Sequence, residues 1–124
     1  MSSSLASHKF RAPTQCIYWT KPEMVRGAMK ERFELIVTYE DDDHLRRRLL
    51  KCLERGQLYF FEFYEWIDKD GVNDPQYRTY VPVETREQAL KLSHLGPIEL
   101  TQYSPALRSN FPKEAESPVI YWVR

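Results

Sequence analysis

Gln57-Leu58-Tyr59-Phe60-Phe61-Glu62-Phe63-Tyr64-Glu65-Trp66-Ile67 is the stretch around which the rest of the chain has to be arranged. It is short and aromatic, with Gly56 before it and Asp68-Lys69-Asp70-Gly71 after it, so it reads as a strand. Side chains alternate across a strand. Tyr59, Phe61, Phe63 and Ile67 therefore share one face, and Leu58, Phe60, Tyr64 and Trp66 the other. A strand with one solvated face would carry polar residues at every second position. Large aromatic side chains each bury on the order of 150–250 Å², so both faces of this strand need a cover.

Upstream, Phe33 to Glu40 alternates as a second strand, with Phe33, Leu35, Val37 and Tyr39 facing one way. Asp41-Asp42-Asp43 then offers a helix N-cap, and the spacing of Leu45, Leu49, Cys52 and Leu53 predicts a helix over about 44–55. Gly56 suits the left-handed position after it. Downstream, 68–75 is a polar loop, and 77–83 is a returning strand whose Pro82 implies an unpaired backbone edge. Thr85 with Gln88 forms a capping box for a helix carrying Ala89, Leu92 and Leu95, ended by Gly96-Pro97. A strand over 98–103 follows.

From 33 to 103 the order is strand, helix, strand, strand, helix, strand. It predicts an α+β fold, a ferredoxin-like split βαβ sandwich with extra N- and C-terminal strands. In that topology 33–40 and 76–83 are central and the aromatic strand lies at an edge, an aggregation hazard unless covered. Residues 16–20 and 118–123 are both strand candidates containing Tyr and Trp, and one of them is expected to pair there. Residues 1–14 read as a flexible N-terminal arm, 15–124 as a single domain, 23–30 as a helix or a loop with one helical turn, and 104–117 as loop.

The 124 residues suffice for one domain with a core, and the formal net charge of zero provides no overall field to recruit nucleic acid or a membrane. Hydrophobic content of 42% and aromatic content of 14% exclude a wholly disordered chain. Cys16 and Cys52 lack a disulfide framework and read as reduced thiols. With no signal-like start and no run of membrane-spanning length, a cytoplasmic location without membrane contact is expected.

Asp68, Asp70, Asn73 and Asp74 offer oxygen ligands of the kind calcium takes, but the glycine comes too early for an EF-hand and turn chemistry explains the composition. No His/Cys spacing matches a zinc site, so no metal or cofactor is expected. Cys52 lies on an apolar stripe away from any base, and no nucleophile elbow or phosphate loop is present; catalytic residues are not assigned and an enzyme is the less favoured class. Glu62 and Glu65 interrupt apolar faces and each require a cationic partner, Arg78 being the natural one on the next strand. Arg46 and Arg47, with Arg48, Lys51 and Arg55, make the 44–55 segment basic. Beside sheet aromatics they could hold single-stranded nucleic acid, although Tyr77-Arg78-Thr79-Tyr80-Val81-Pro82 lacks the RNA-recognition signature. The reading favoured by the aromatics is a non-enzymatic interaction module. It binds a protein partner, or a second copy of itself, through Leu58, Phe60, Tyr64 and Trp66, with Arg46 and Arg47 setting orientation. A small enzyme with a pocket at a dimer interface is the remaining alternative.

Overall fold

A computed structural model describes residues 9–27, 29–66, 74–112 and 115–124. It is a mixed α+β fold: one six-stranded antiparallel sheet with short helices on both faces. The strands are β1 (Phe33–Asp41), β2 (Leu45–Cys52), β3 (Leu58–Glu65), β4 (Gln76–Val83), β5 (Ala106–Phe111) and β6 (Val119–Val123), and they lie side by side in chain order. Helices α1 (Ile17–Thr20) and α2 (Met29–Arg32), with a 3-10 turn at Pro22–Val25 between them, precede the sheet. Helices α3 (Arg86–Leu92) and α4 (Pro97–Leu100) fill the connection from β4 to β5.

This order does not confirm the ferredoxin-like arrangement, which needs a helix between β1 and β3. The 44–55 segment is instead strand β2, hydrogen-bonded to β1 on one side and β3 on the other. The aspartates before it form a turn rather than a cap: the His44 amide donates to Asp42 Oδ1 and the Asp42 amide to the Leu45 carbonyl. Gly56 does take a left-handed conformation, φ +78°, but in the hairpin turn, where its amide donates to the Cys52 carbonyl. Pairing wins over helical spacing because the aromatic strand β3 would otherwise expose one whole edge of backbone donors and acceptors. As a result β3 is an interior strand, not an edge.

Three further segments depart from the expected pattern. Residues 17–20 are helical rather than extended, and the expected 23–30 helix is the 3-10 turn and α2, divided at Gly27 with φ +105°. Residues 97–100 form α4, not a strand; the Gly96 amide donates to Glu99 Oε1 at its start. Strand β5 lies inside the expected loop 104–117. The α3 cap is as expected, with Thr85 Oγ1 accepting from the Gln88 amide, and β6 occupies the C-terminal apolar segment, although it pairs with β5. Pro82 lies where β4 has run past the end of β5, whose register reaches only from Gln76 to Tyr80. No donor is missed there.

Each face of the sheet has its own core. On the first, Phe33, Leu50, Cys52, Tyr59, Phe61, Tyr80 and Leu107 are buried beneath Cys16, Tyr18 and Val25 of the N-terminal segment. Tyr59 donates to Cys16 Sγ at 3.0 Å, and Trp122 Nε1 donates to the Tyr18 carbonyl at 2.6 Å, which fix α1 against the sheet. On the second face, Leu49, Phe60, Val81, Val83 and Ala106 pack under Ala89 and Leu92 of α3 and Leu100 of α4. Most of the expected N-terminal arm, residues 1–8, lies outside the described residues. Phe10 is held: its amide donates to the Ser104 carbonyl and its ring stacks on Tyr103. No helix among the described residues is long and apolar enough to cross a membrane.

Candidate functional site

The sheet register lays its side chains out in rows. One row on the first face runs Asp41, Arg46, Phe63, Arg78, Ser109, Ile120; the next runs Thr38, Arg48, Phe61, Tyr80, Leu107, Trp122. The N-terminal segment covers only part of this face. Where it stops, at Arg26 and Gly27, it leaves a cavity of about 440 Å³. Phe61, Phe63 and Tyr80 form the floor, and Arg26, Arg46, Arg48 and Arg78 the charged walls. No carboxylate among the described residues lines it. Among the described residues none comes within 4.0 Å of these four guanidinium groups, and the nearest in the row, Asp41, lies outward of Arg46 at the sheet edge.

Two of the arginines are held by a ring rather than by an acid. The guanidinium carbons of Arg46 and Arg78 stand 5.4 and 4.9 Å from the centroid of the Phe63 ring. Arg48 touches Met29 Sδ through its NH1 at 3.9 Å, and its buried Nε has no hydrogen-bond partner. Stacking leaves the N–H edge of a guanidinium free for an acceptor, and a cluster of this kind, without an ion pair among the described residues, attracts anions. Burial pushes the Tyr80 hydroxyl up to about 12, against the opposing pull of Arg78, so the floor stays neutral.

Arg47, one residue away, does something different. Its side chain points to the second face, where its Nε and NH2 both donate to Glu62 Oε2, at 3.0 and 2.7 Å. The two side chains are only 5% and 6% exposed. Its NH1 donates to the carbonyls of Ser93 and Leu95, just past α3, so Arg47 ties that helix end to the sheet. The partner of Glu62 is thus Arg47 from β2 and not Arg78, whose side chain lies on the opposite face. Glu65 meets His44 Nδ1 at 3.0 Å and Gln76 Nε2 at 3.1 Å, and these hydrogen bonds, Gln76 first, hold its carboxyl below the ordinary value.

Of the other residues expected to bind, Phe60 is fully buried and Leu58 half-buried against the α3–α4 side. Tyr64 and Trp66 lie beyond that cover, Trp66 58% exposed, on a groove of about 390 Å³ that also takes in Tyr77 and Ile98. Arg46 belongs to the cavity on the first face. Sequence reasoning missed Arg48, Phe61, Phe63, Tyr80 and Ser109 as members of one site, and Arg78 in that role. The available signal was the alternation of Arg46 and Arg48 with Arg47, which separates two cavity residues from a buried one once 45–52 is read as a strand. No group of three metal-ligating side chains exists among the described residues, and the 68–73 loop lies outside them. No protein-family model, curated protein or solved structure matches this chain.

Proposed function

We propose that this protein is a binding module for a phosphate-bearing ligand, taken up in the arginine-walled cavity over Phe61, Phe63 and Tyr80. The observation that carries this reading is a lining that holds four guanidinium groups and, among the described residues, no carboxylate. Charge focused in one concavity of a chain with no net charge marks a place rather than a general surface property. Paired N–H edges suit phosphoryl oxygens. The test is calorimetric titration of the whole chain with inorganic phosphate, adenosine 5′-monophosphate and adenosine, at low and high salt. The phosphates should bind, more weakly at high salt, and adenosine should not. Arg78→Gln should weaken binding about tenfold, the value of one charged hydrogen bond. Heats absent for both phosphates, or unchanged by Arg78→Gln, would remove the reading. Binding of single-stranded RNA without binding of the monophosphate would replace it by nucleic-acid recognition.

A second reading rests on the exposed rings of the opposite face. Trp66 at 58% and Ile98 at 80% exposure flank the groove at Tyr64 and Tyr77, an anchor set suited to a second copy of this chain. A dimer by light scattering that becomes a folded monomer on Trp66→Ala would support self-association. A monomeric wild-type chain would exclude it.

A further inference from the structure

The rows of the sheet divide the arginines of the cavity into two groups. Arg46 and Arg78 belong to the row of Phe63, on the strands either side of β3, and converge on that one ring. Arg48 belongs to the next row, two residues along β2, a displacement of about 7 Å in an extended strand. It is held there separately, by Met29 on one side, with a buried Nε that lacks an acceptor. That Nε is enclosed, so what Arg48 offers from its place in the cavity lining is the outer N–H edge of its guanidinium, a second position for an acceptor oxygen away from Phe63. The charge count agrees. One phosphoryl group carries about −1.5 to −2, so one would leave half of the four cations uncompensated, whereas two match them.

We propose that the cavity holds two phosphoryl groups attached to separate carbons of one small ligand. The first lies in the clamp of Arg46 and Arg78 above Phe63, and the second one sheet row away on Arg48. This rests on the phosphate reading given above and adds the spacing that the ligand must satisfy. Two phosphates joined directly to one another would crowd into the clamp and leave Arg48 without an acceptor. Groups on separate carbons reach both rows.

The experiment compares three ligands with the same nucleoside in calorimetric titrations of the full chain: adenosine 5′-monophosphate, adenosine 5′-diphosphate and adenosine 3′,5′-bisphosphate. The bisphosphate should bind at least about tenfold more tightly than either of the others, one charged contact more. Arg48→Gln should remove that advantage by weakening the bisphosphate more than it weakens the monophosphate. Arg48→Lys, which keeps the charge and loses the planar guanidinium fork, serves if the Gln variant does not fold, and should reduce the advantage. Equal affinity for the diphosphate and the bisphosphate would overturn the spacing, as would an Arg48 variant that weakens all three ligands alike. Both results leave the phosphate reading intact. Failure of all three ligands to bind would end both.

Discussion

Replacing Glu62 by Gln keeps the volume and removes one charge from a pair that is almost completely out of water. The two side chains are 5% and 6% exposed, and Glu62 Oε2 takes two donors from Arg47. Breaking a buried pair by deleting one partner costs about 3–5 kcal/mol, because the other charge stays behind uncompensated. In Glu62→Gln, Arg47 keeps the carbonyls of Ser93 and Leu95, so the loss should fall at the lower end, about 3 kcal/mol. In Arg47→Met the carboxylate and both carbonyls lose their donor together, and the loss should reach about 5 kcal/mol. Against a total stability of about 5–15 kcal/mol for a domain, the second variant is close to unfolded. The double variant Arg47→Met, Glu62→Leu removes both charges. Only the two carbonyls remain unsatisfied, so its loss should shrink to about 1–3 kcal/mol. Urea unfolding followed by tryptophan fluorescence and far-UV circular dichroism measures all three. A loss below about 1 kcal/mol for Glu62→Gln, the range of an exposed ion pair, would refute the reasoning, as would losses that simply add in the double variant.

Alkaline pH tests the aromatic core. Burial pushes the hydroxyls of Tyr18 and Tyr80 up to about 12, and raises Tyr59 as well, all from an ordinary value of 10.0. Their folded values lie above the unfolded one, so their contribution to stability is complete below pH 10.0 and is lost as the pH rises through about 12. Tyrosinate absorbance should therefore show a late component that appears together with loss of circular dichroism. Ionisation of all eight tyrosines near pH 10.0, with the fold intact, would contradict it. Gly56→Ala, at φ +78°, should cost about 1–2 kcal/mol from the backbone alone. The added methyl group would stand at an ordinary 3.4 Å from the flexible Lys51 side chain, so a larger loss in urea unfolding would argue against this turn.

The parts legible in the sequence are those in which local pattern and tertiary demand agree. Strands β1, β3, β4 and β6 and helix α3 follow from alternation and from the Thr85 cap. The 45–52 segment is the place where they conflict. Leu45, Leu49, Cys52 and Leu53 repeat at helical intervals, and the three arginines between them look like a solvated helix face. As a strand, the same residues send Arg47 into an apolar layer, which is tolerable only because Glu62 arrives from β3. That is a non-local fact. Strand β5 was hidden for a related reason: Arg108, Ser109 and Asn110 between Pro105 and Pro112 look like loop, and only pairing with β4 and β6 makes them a strand. Tyr18 and Trp19 favour extended structure by propensity, but packing against Phe33 and Trp122 holds them in a helical turn. The site suffered most, since the cavity joins residues of strands β2, β3, β4 and β5 with the N-terminal segment. Tyr59 and Phe60 of β3 are covered by the chain's own two helical layers, whereas Phe63 faces the cavity and Tyr64 lies beyond the cover.

Strands that lie in chain order have a consequence for how the molecule assembles. Each new strand adds to the one made just before it, so the chain can close as successive hairpins and never has to insert a strand between two others. Loop closure costs grow slowly with length, and short closures of this kind favour fast folding. The exception is the step from β4 to β5, where residues 84–105 must first lay α3 and α4 on the sheet. The cavity spans that step: Arg46, Arg48 and Arg78 come from the first four strands, while Ser109 waits for the fifth. Three of its four cationic walls therefore stand in the portion of the sheet that needs only adjacent hairpins, and the rim at Ser109 is completed when the longest connection between strands has been closed.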